Sequence, residues 1–220
     1  MSDLPHDRVY ANRFSPKLRA EKAAVWRVVC ADFLQRYVPR DAAILDLGAG
    51  YGEFINNIAG ARKVAIDMNP ELPSCLEAGI KAIAFDVNSG EPLPDGPYDV
   101  VFASNFFEHL RDKGALTKLV ARIHEALRPG GRLLVLGPNI RVLHGEYWDF
   151  YDHHVALSDR SVTELLVASG FEIEECIPRF LPYTMKSRLP SWPFLVRAFL
   201  RFPLAWRIFG GQFFVVARRT

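Results

Sequence analysis

Five short, almost unbroken apolar runs recur along the chain with helix-length stretches between them, and this alternation is what most restricts the fold. They are Ala43–Leu47, Val64–Ile66, Ala82–Phe85, Asp99–Ala103 and Arg132–Leu136. Strands with no wet face must be covered on both sides, which means a parallel sheet with helices on both faces joined by right-handed crossovers. Ser15-Pro16 reads as a cap and first helical position, and Leu18, Val25, Val28, Val29, Phe33 and Leu34 continue at helical spacing to about Tyr37. Helices are also expected over Phe54–Ala59, over Leu72–Ala78 and through Leu116, Leu119, Val120, Ile123 and Leu127. The last of these is closed by Arg128-Pro129-Gly130-Gly131. Ser161-Val162-Thr163-Glu164 has the pattern of a capping box for a helix ending at Gly170; Phe171–Glu175 and Gln212–Ala217 read as two further strands. The result is an α/β doubly wound fold.

Half of the 220 residues are hydrophobic and 24% are charged, which excludes disordered and fibrous classes. The three cysteines, Cys30, Cys75 and Cys176, form no CxxC pair, so neither a disulfide framework nor a zinc knuckle is indicated and a reducing, cytoplasmic setting is expected. The first residues lack the order of a signal peptide, and no apolar run reaches the roughly 20 residues of a membrane span. The net charge of +2 conceals an asymmetry: residues after Glu175 carry eight basic side chains, ten aromatics and no acid, leaving −6 before that point and +8 beyond it.

Asp46-Leu47-Gly48-Ala49-Gly50-Tyr51-Gly52 follows the first strand. In open α/β sheets a ligand lies outside the carboxyl ends of the strands where strand order reverses, and glycines allow close backbone approach there. The spacing is not the GxGxxG of dinucleotide sites, and no Gly-Lys-Ser or Gly-Lys-Thr follows. Asp46 beside the turn would repel a pyrophosphate and attract an ammonium or sulfonium.

On these residues the chain resembles the class I S-adenosylmethionine-dependent methyltransferases. Asp46, Gly48, Gly50 and Gly52 match that family's first motif. Asp67, ending the second strand, matches the acid that holds the ribose hydroxyls, with Met68 beside the adenine; Asp86, with Val87, matches the residue near the adenine amino group. Ser104 and Asn105, in Ser104–Leu110, correspond to the segment that closes over the methionine part. Arg13, with Tyr10, falls in an N-terminal segment that folds over the cofactor in similar enzymes, where an arginine can pair with its carboxylate. The resemblance implies a mostly parallel, Rossmann-like sheet of seven strands whose last is antiparallel, S-adenosyl-L-methionine as cofactor and S-adenosyl-L-homocysteine as product; no metal ion is expected, although some sugar methyltransferases of the family hold a divalent one. It also implies one domain over 1–220: a helical cap at 1–40, a cofactor-binding core at 41–140, an acceptor-side loop, helix and strand at 141–177, an aromatic and basic insertion at 178–211, and the last strand at 212–220.

Methyl transfer is an in-line displacement at an activated carbon, so a hydroxyl acceptor chiefly needs alignment and a base. Candidate bases are Glu108, His109, His144, Tyr147, Asp152, His153 and His154, four of the six histidines lying in these segments. His153 and His154 lead as groups touching the reacting atoms, with His109 and Asp152 beside them; Asn139, His144, Tyr147 and Trp148 are expected along the acceptor. Asp152, His153 and His154 as a metal set is the lesser reading, because adjacent loop residues rarely converge on one ion.

The nucleic-acid amino methyltransferase motif, with two prolines before an aromatic, is replaced here by Ser104-Asn105-Phe106-Phe107. No cysteine follows a proline, as cytosine C5 enzymes require, and only Glu108 stands where protein arginine enzymes place two glutamates. A small or lipid-linked acceptor methylated on oxygen remains, with no nucleic-acid partner expected. Trp148-Asp149-Phe150 and the stretch from Pro178 to Ser187 resemble methyltransferases of bacterial surface-polysaccharide assembly, which implies a sugar acceptor. A quinone or phenol acceptor, a non-catalytic cofactor-binding module and an RNA methyltransferase are the other readings. In 178–211 arginines alternate with bulky apolar residues, the pattern of an interfacial segment at the inner face of a membrane; packing on its own domain is the plainer alternative.

Overall fold

The computed structural model describes residues 16–183 and 192–220. Its helices and strands are α1 (Pro16–Asp32), β1 (Ala43–Leu47), β2 (Arg62–Ile66), α2 (Leu72–Cys75), β3 (Ile80–Ile83), β4 (Tyr98–Ser104), α3 (Lys113–Ala126), β5 (Leu127–Pro138), α4 (Ile140–Leu143), α5 (Asp159–Ala168), β6 (Phe171–Ile177), α6 (Pro193–Arg201), α7 (Pro203–Phe209) and β7 (Gln212–Arg219). The strands form one seven-stranded sheet in the order β3-β2-β1-β4-β5-β7-β6. β1 to β5 are parallel, and β7 runs antiparallel between β5 and β6. Strand order reverses between β1 and β4, so the crevice beyond their carboxyl ends is where such a sheet places a ligand.

The sheet carries a separate apolar layer on each face. Leu45, Leu47, Val101, Leu133 and Val135 point into a layer with Leu116, Leu119, Val120 and Ile123 of α3. Ile44, Val100, Phe102, Leu134 and Val216 point into the other, with Val28, Val29 and Phe33 of α1 and its following turn. Leu119 and Phe33 sit at 0% and 2% exposure, and truncating such a residue to Ala costs about 2–5 kcal/mol. Asp112 caps α3 by accepting the amide of Ala115 at 2.8 Å.

Several boundaries depart from the sequence reading. Residues 51–57 form hydrogen-bonded turns rather than the expected helix over Phe54–Ala59. Their bonds mix both spans, Asn57 N to Phe54 O at 2.9 Å and Ile58 N to Phe54 O at 3.1 Å. The amides of Asn56 and Asn57 meanwhile donate to the carbonyls of Cys75 and Glu53. Side chains that compete for backbone groups in this way interrupt a regular helix. α2 stops at Cys75 instead of reaching Ala78, because Leu76 turns extended and Glu77 N donates to Asn56 Oδ1 at 2.9 Å. β3 lies two residues earlier at each end than read, because it pairs with Lys63–Ile66 of β2, from Lys63 opposite Ile80 to Ile66 opposite Ile83. α1 ends at Asp32 and the chain continues to Arg36 as a 3-10 turn. Arg128–Gly131 is an arch inside the β4–β5 ladder, which pairs Tyr98 with Leu127 and Val100 with Arg132. The capping box uses Ser158 and Ser161, so α5 starts three residues earlier than read.

The 178–211 excursion is folded partly onto the domain. Phe180 is fully buried and stacks on Phe33 with centroids 4.2 Å apart, and the Trp206 ring edge meets both. Leu200, Phe199 and Val196 pack on the same layer, and Arg197 pairs with Asp32 of α1 at 2.9 Å.

Candidate active site

Gly48, Gly50 and Gly52 all have positive φ, at +76°, +58° and +80°. The conformation is one that side chains resist, and at two of the positions there is no space for one either. A Cβ on Gly48 would fall among the ring atoms of Phe106, and one on Gly52 would stand 2.7 Å from Leu76 Cδ2. Gly48 N and Ala49 N donate to Ile66 O at 2.9 and 3.1 Å, which fixes the turn to the end of β2. Asp67 completes the attachment: its Oδ2 accepts Gly50 N at 2.7 Å and its Oδ1 accepts Asn69 N at 2.8 Å. Asn69 Nδ2 donates back to Gly50 O at 2.9 Å. Asn69 was not among the expected site residues; its signal is the Asp-x-Asn spacing, in which a short side chain caps the backbone two residues on.

Beneath the turn, Asp46 is 3% exposed. Its carboxyl accepts the amide of Ile55, while its Oδ2 has no hydrogen-bond partner among the described residues. Burial first, then the nearby Glu53 and Asp67 carboxylates, push its pKa well above the ordinary range. Burial also raises Asp67. A cationic ligand group arriving here would relieve both.

The other cofactor-side expectations fall nearby. Met68 is largely exposed beside Asp67. Asp86 lies beyond β3, exposed, with its Oδ1 accepting Asn88 N at 2.8 Å, and Val87 O accepts from Arg122. Ser104 ends β4, and Asn105 follows in the left-handed region at φ +48°, which turns Phe106 over Gly48. Tyr10 and Arg13 lie outside the described residues.

On the acceptor side, Phe107–His109 forms a single 3-10 turn after β4. Glu108 O accepts His154 N at 2.9 Å and Val155 N at 3.1 Å, tying the segment after β5 to the segment after β4. The ties bring His109, Asp152 and His153 together. His109 Nδ1 stands 3.0 Å from Asp152 O and 3.3 Å from its Oδ2. The His153 ring is buried, edge-on to His109 at 4.9 Å and stacked on Phe150 at 5.2 Å. Glu108 is 1% exposed, and burial raises its pKa against the opposing pull of His109. One atom from each of Glu108, His109 and His153 lies within 4.8 Å of the others. Glu108 was a candidate base, but its meeting with His153 was not foreseen: the two are far apart in sequence and only the backbone ties bring them together.

The remaining acceptor-side residues are placed as follows. Tyr147 is fully buried, its hydroxyl donating to Val155 O and accepting Leu157 N at 3.2 Å, so it holds its own loop instead of facing an acceptor. Asn139 is also buried, and its amide donates to Asp159 Oδ1 at 2.8 Å and Pro178 O at 2.9 Å while it caps α4. His154 points outward, exposed, although its neighbour is buried. His144 is exposed as well, whereas Trp148 lies half-exposed with its ring 5.1 Å from Tyr147.

Comparison with known proteins places this geometry. Residues 21–176 match the model of a methyltransferase domain family. A probable S-adenosylmethionine-dependent methyltransferase of Mycolicibacterium smegmatis is 30% identical over 159 residues, covering 70% of this chain; the match spans 60% of that relative's length. Among solved structures, an S-adenosylmethionine-dependent methyltransferase from Archaeoglobus fulgidus superposes with a TM-score of 0.64 at 19% identity, over 93% of this chain and all of its own. The N-methyltransferase NodS of Bradyrhizobium japonicum, solved with S-adenosyl-l-homocysteine, gives 0.61 at 14% identity over 97% and 95%. The seven-stranded sheet, the glycine turn at its switch point and the match over most of the sequence agree: the chain belongs to the class I S-adenosylmethionine-dependent methyltransferases.

Proposed function

We propose that this chain transfers a methyl group from S-adenosylmethionine to a hydroxyl of a small or lipid-linked acceptor, a sugar by preference. The observation that carries the reading is the meeting of Glu108, His109, Asp152 and His153 directly beyond the Phe106 segment that covers the glycine turn. S-Adenosylmethionine, when bound, supplies a methyl carbon already activated by its sulfonium. The residues present suit it. Beside its bonds from backbone amides, the Asp67 carboxylate, with about four acceptor sites, keeps capacity for a ribose hydroxyl. The unpartnered Asp46 oxygen suits a cationic centre, and the open face of Gly50 admits a ligand to the backbone. Arg13 and Tyr10 would close the site from the N-terminal side.

In this reading His153 takes the acceptor's proton, and Asp152 sets the His109 ring beside it. When His109 Nδ1–H donates to Asp152 O, its Nε2 is left as the lone-pair atom. Phe150, stacked on His153 and edge-on to Tyr183, screens that ring from water. Replacing His153 by Ala is expected to lower kcat by about 10²-fold, the usual worth of a positioned base, with cofactor affinity unchanged. His154→Ala should change kcat by less than about threefold, because its exposed ring lies off the cluster. The check is homocysteine-product release with a panel of glycosyl and phenolic acceptors; equal kcat in wild type and His153→Ala would remove His153 as the base.

We further propose that α6 and α7 rest on an anionic membrane face, where a lipid-linked acceptor would be presented. Trp192, Phe194, Phe202, Leu204, Ile208 and Phe209 are each at least half exposed, among Arg201 and Arg207 and without an acid in the segment. Aromatic bodies buried in the headgroup region and arginines near anionic lipid, at about 1 kcal/mol each, would hold such a surface. Among the described residues no helix is long and apolar enough to cross a membrane. Flotation with vesicles containing phosphatidylglycerol is expected, and its loss in a Trp192→Ser, Phe194→Ser, Ile208→Ser variant; wild type remaining at the bottom of the gradient would contradict the proposal.

A further inference from the structure

We infer that Glu108, His109 and His153 form a binding site for one divalent first-row metal ion, such as zinc or manganese. The inference departs from the sequence expectation of no metal, and it rests on the reading of this face as the acceptor side. Glu108 and His109 are neighbours in the 3-10 turn Phe107–His109, and with His153 from the segment after β5 each brings a ligand atom within 4.8 Å of the other two. Ligands about 2.1 Å from a tetrahedral ion stand about 3.4 Å apart, so shifts of roughly an ångström would close the set. Two histidines with one carboxylate leave coordination positions open, the arrangement of a site that works on a substrate instead of bracing the fold.

The surroundings match what a ligating histidine requires. His109 Nδ1 lies 3.0 Å from Asp152 O and 3.3 Å from its Oδ2, which orients the ring and leaves Nε2 for an ion. Such partners outside the ligands fix ring orientation and make the imidazole a better donor. Phe150 covers the His153 ring, and the Tyr147 ring edge meets it at 4.9 Å, so the set has an apolar wall on one side. The carboxylate of Glu108, almost wholly removed from water, would gain a full opposite charge beside it.

With the ion in place, His153 changes part. It holds the cation, and the cation polarises the acceptor hydroxyl so that its proton leaves to solvent. The oxygen–methyl bond then forms as the sulfonium–methyl bond breaks, giving the thioether product. The adjacent, exposed His154 stays outside the set.

The test is titration of the chelator-treated 220-residue chain with Co²⁺, read by visible d–d absorption, and with Zn²⁺, read by calorimetry. One equivalent with a band of low-coordinate intensity is expected. Glu108→Gln and His153→Ala should each weaken binding at least about 10- to 100-fold, with His154→Ala retaining the band. Absence of a band and of heat with the wild type, or a band equally strong in both variants, would overturn the inference. Should either variant fail to fold, Co²⁺ shifts of the His109 and His153 imidazole proton signals in the wild type decide: shifts there but not at His124 support the site, and none overturns it. If no metal binds while His153→Ala still slows turnover, the metal inference fails and the base reading stands.

Discussion

The glycine turn after β1 and the α6–α7 hairpin are built on opposite terms. At the turn almost everything is backbone: three positive φ angles, two amides on Ile66 O, and one carboxylate holding Gly50 and Asn69. Only glycine suits such positions, so the requirement is written directly into residue type. At the hairpin, side chains decide. Leu200 and Trp206 turn inward to the layer that holds Phe33 and Phe180, while Trp192, Phe194 and Phe202, of the same bulky apolar kind, turn out to solvent. The difference shows that a backbone requirement leaves its mark in the sequence, whereas a choice of face depends on a partner elsewhere in the chain.

The sharpest way to break that comparison is truncation within the aromatic segment. Phe180→Ala is expected to cost about 3–5 kcal/mol of stability, since the ring is wholly buried against Phe33, Trp206 and Phe214. Trp192→Ala, at an exposed position, should change stability by less than about 0.5 kcal/mol. Urea unfolding of the two variants checks this, and similar losses would mean that the whole segment packs alike.

Next in size is Asp67→Ala, which removes the clamp on Gly50 together with the acceptors offered to a ribose. About a 100-fold loss of S-adenosylhomocysteine affinity is expected, roughly 2.7 kcal/mol. Full retention would detach the turn from cofactor binding.

A smaller effect tests the electrostatics beneath the turn. The pKa of Asp46 is raised in the folded state, so the folded chain keeps a proton that the unfolded chain releases. Stability from this source is complete below the ordinary carboxylate range and is lost as pH rises through the raised pKa. Asp46→Asn should therefore raise the neutral-pH stability of the cofactor-free protein by about 1 kcal/mol and flatten that decline, while weakening cofactor binding. A thermal-melting series from pH 4 to 8 is the check; an unchanged slope would place the cost elsewhere.

Strand identity, the parallel sheet and the glycine turn were legible because continuous apolar runs and glycine spacing follow from backbone geometry. Element ends were less so. Asn56 and Asn57 divert the expected helix at 54–59 through bonds to Cys75 and Glu53, and such bonds have no periodicity to read. The acceptor side was half legible. His153 and His109 stood out as titratable groups, but Tyr147 and Asn139 carry the same polar chemistry and are spent on Val155, Asp159 and Pro178. Whether a polar side chain faces a ligand or its own loop is settled by tertiary contacts, and here the decisive ones are the two amides on Glu108 O.

The most direct measurement is calorimetric titration of the purified chain with S-adenosylhomocysteine. Because the turn is held by its own backbone bonds to Ile66 and Asp67, one-site binding with a dissociation constant of about 1 μM, near −8 kcal/mol, is expected. Absence of binding heat at several temperatures would contradict the assignment of this crevice to the cofactor.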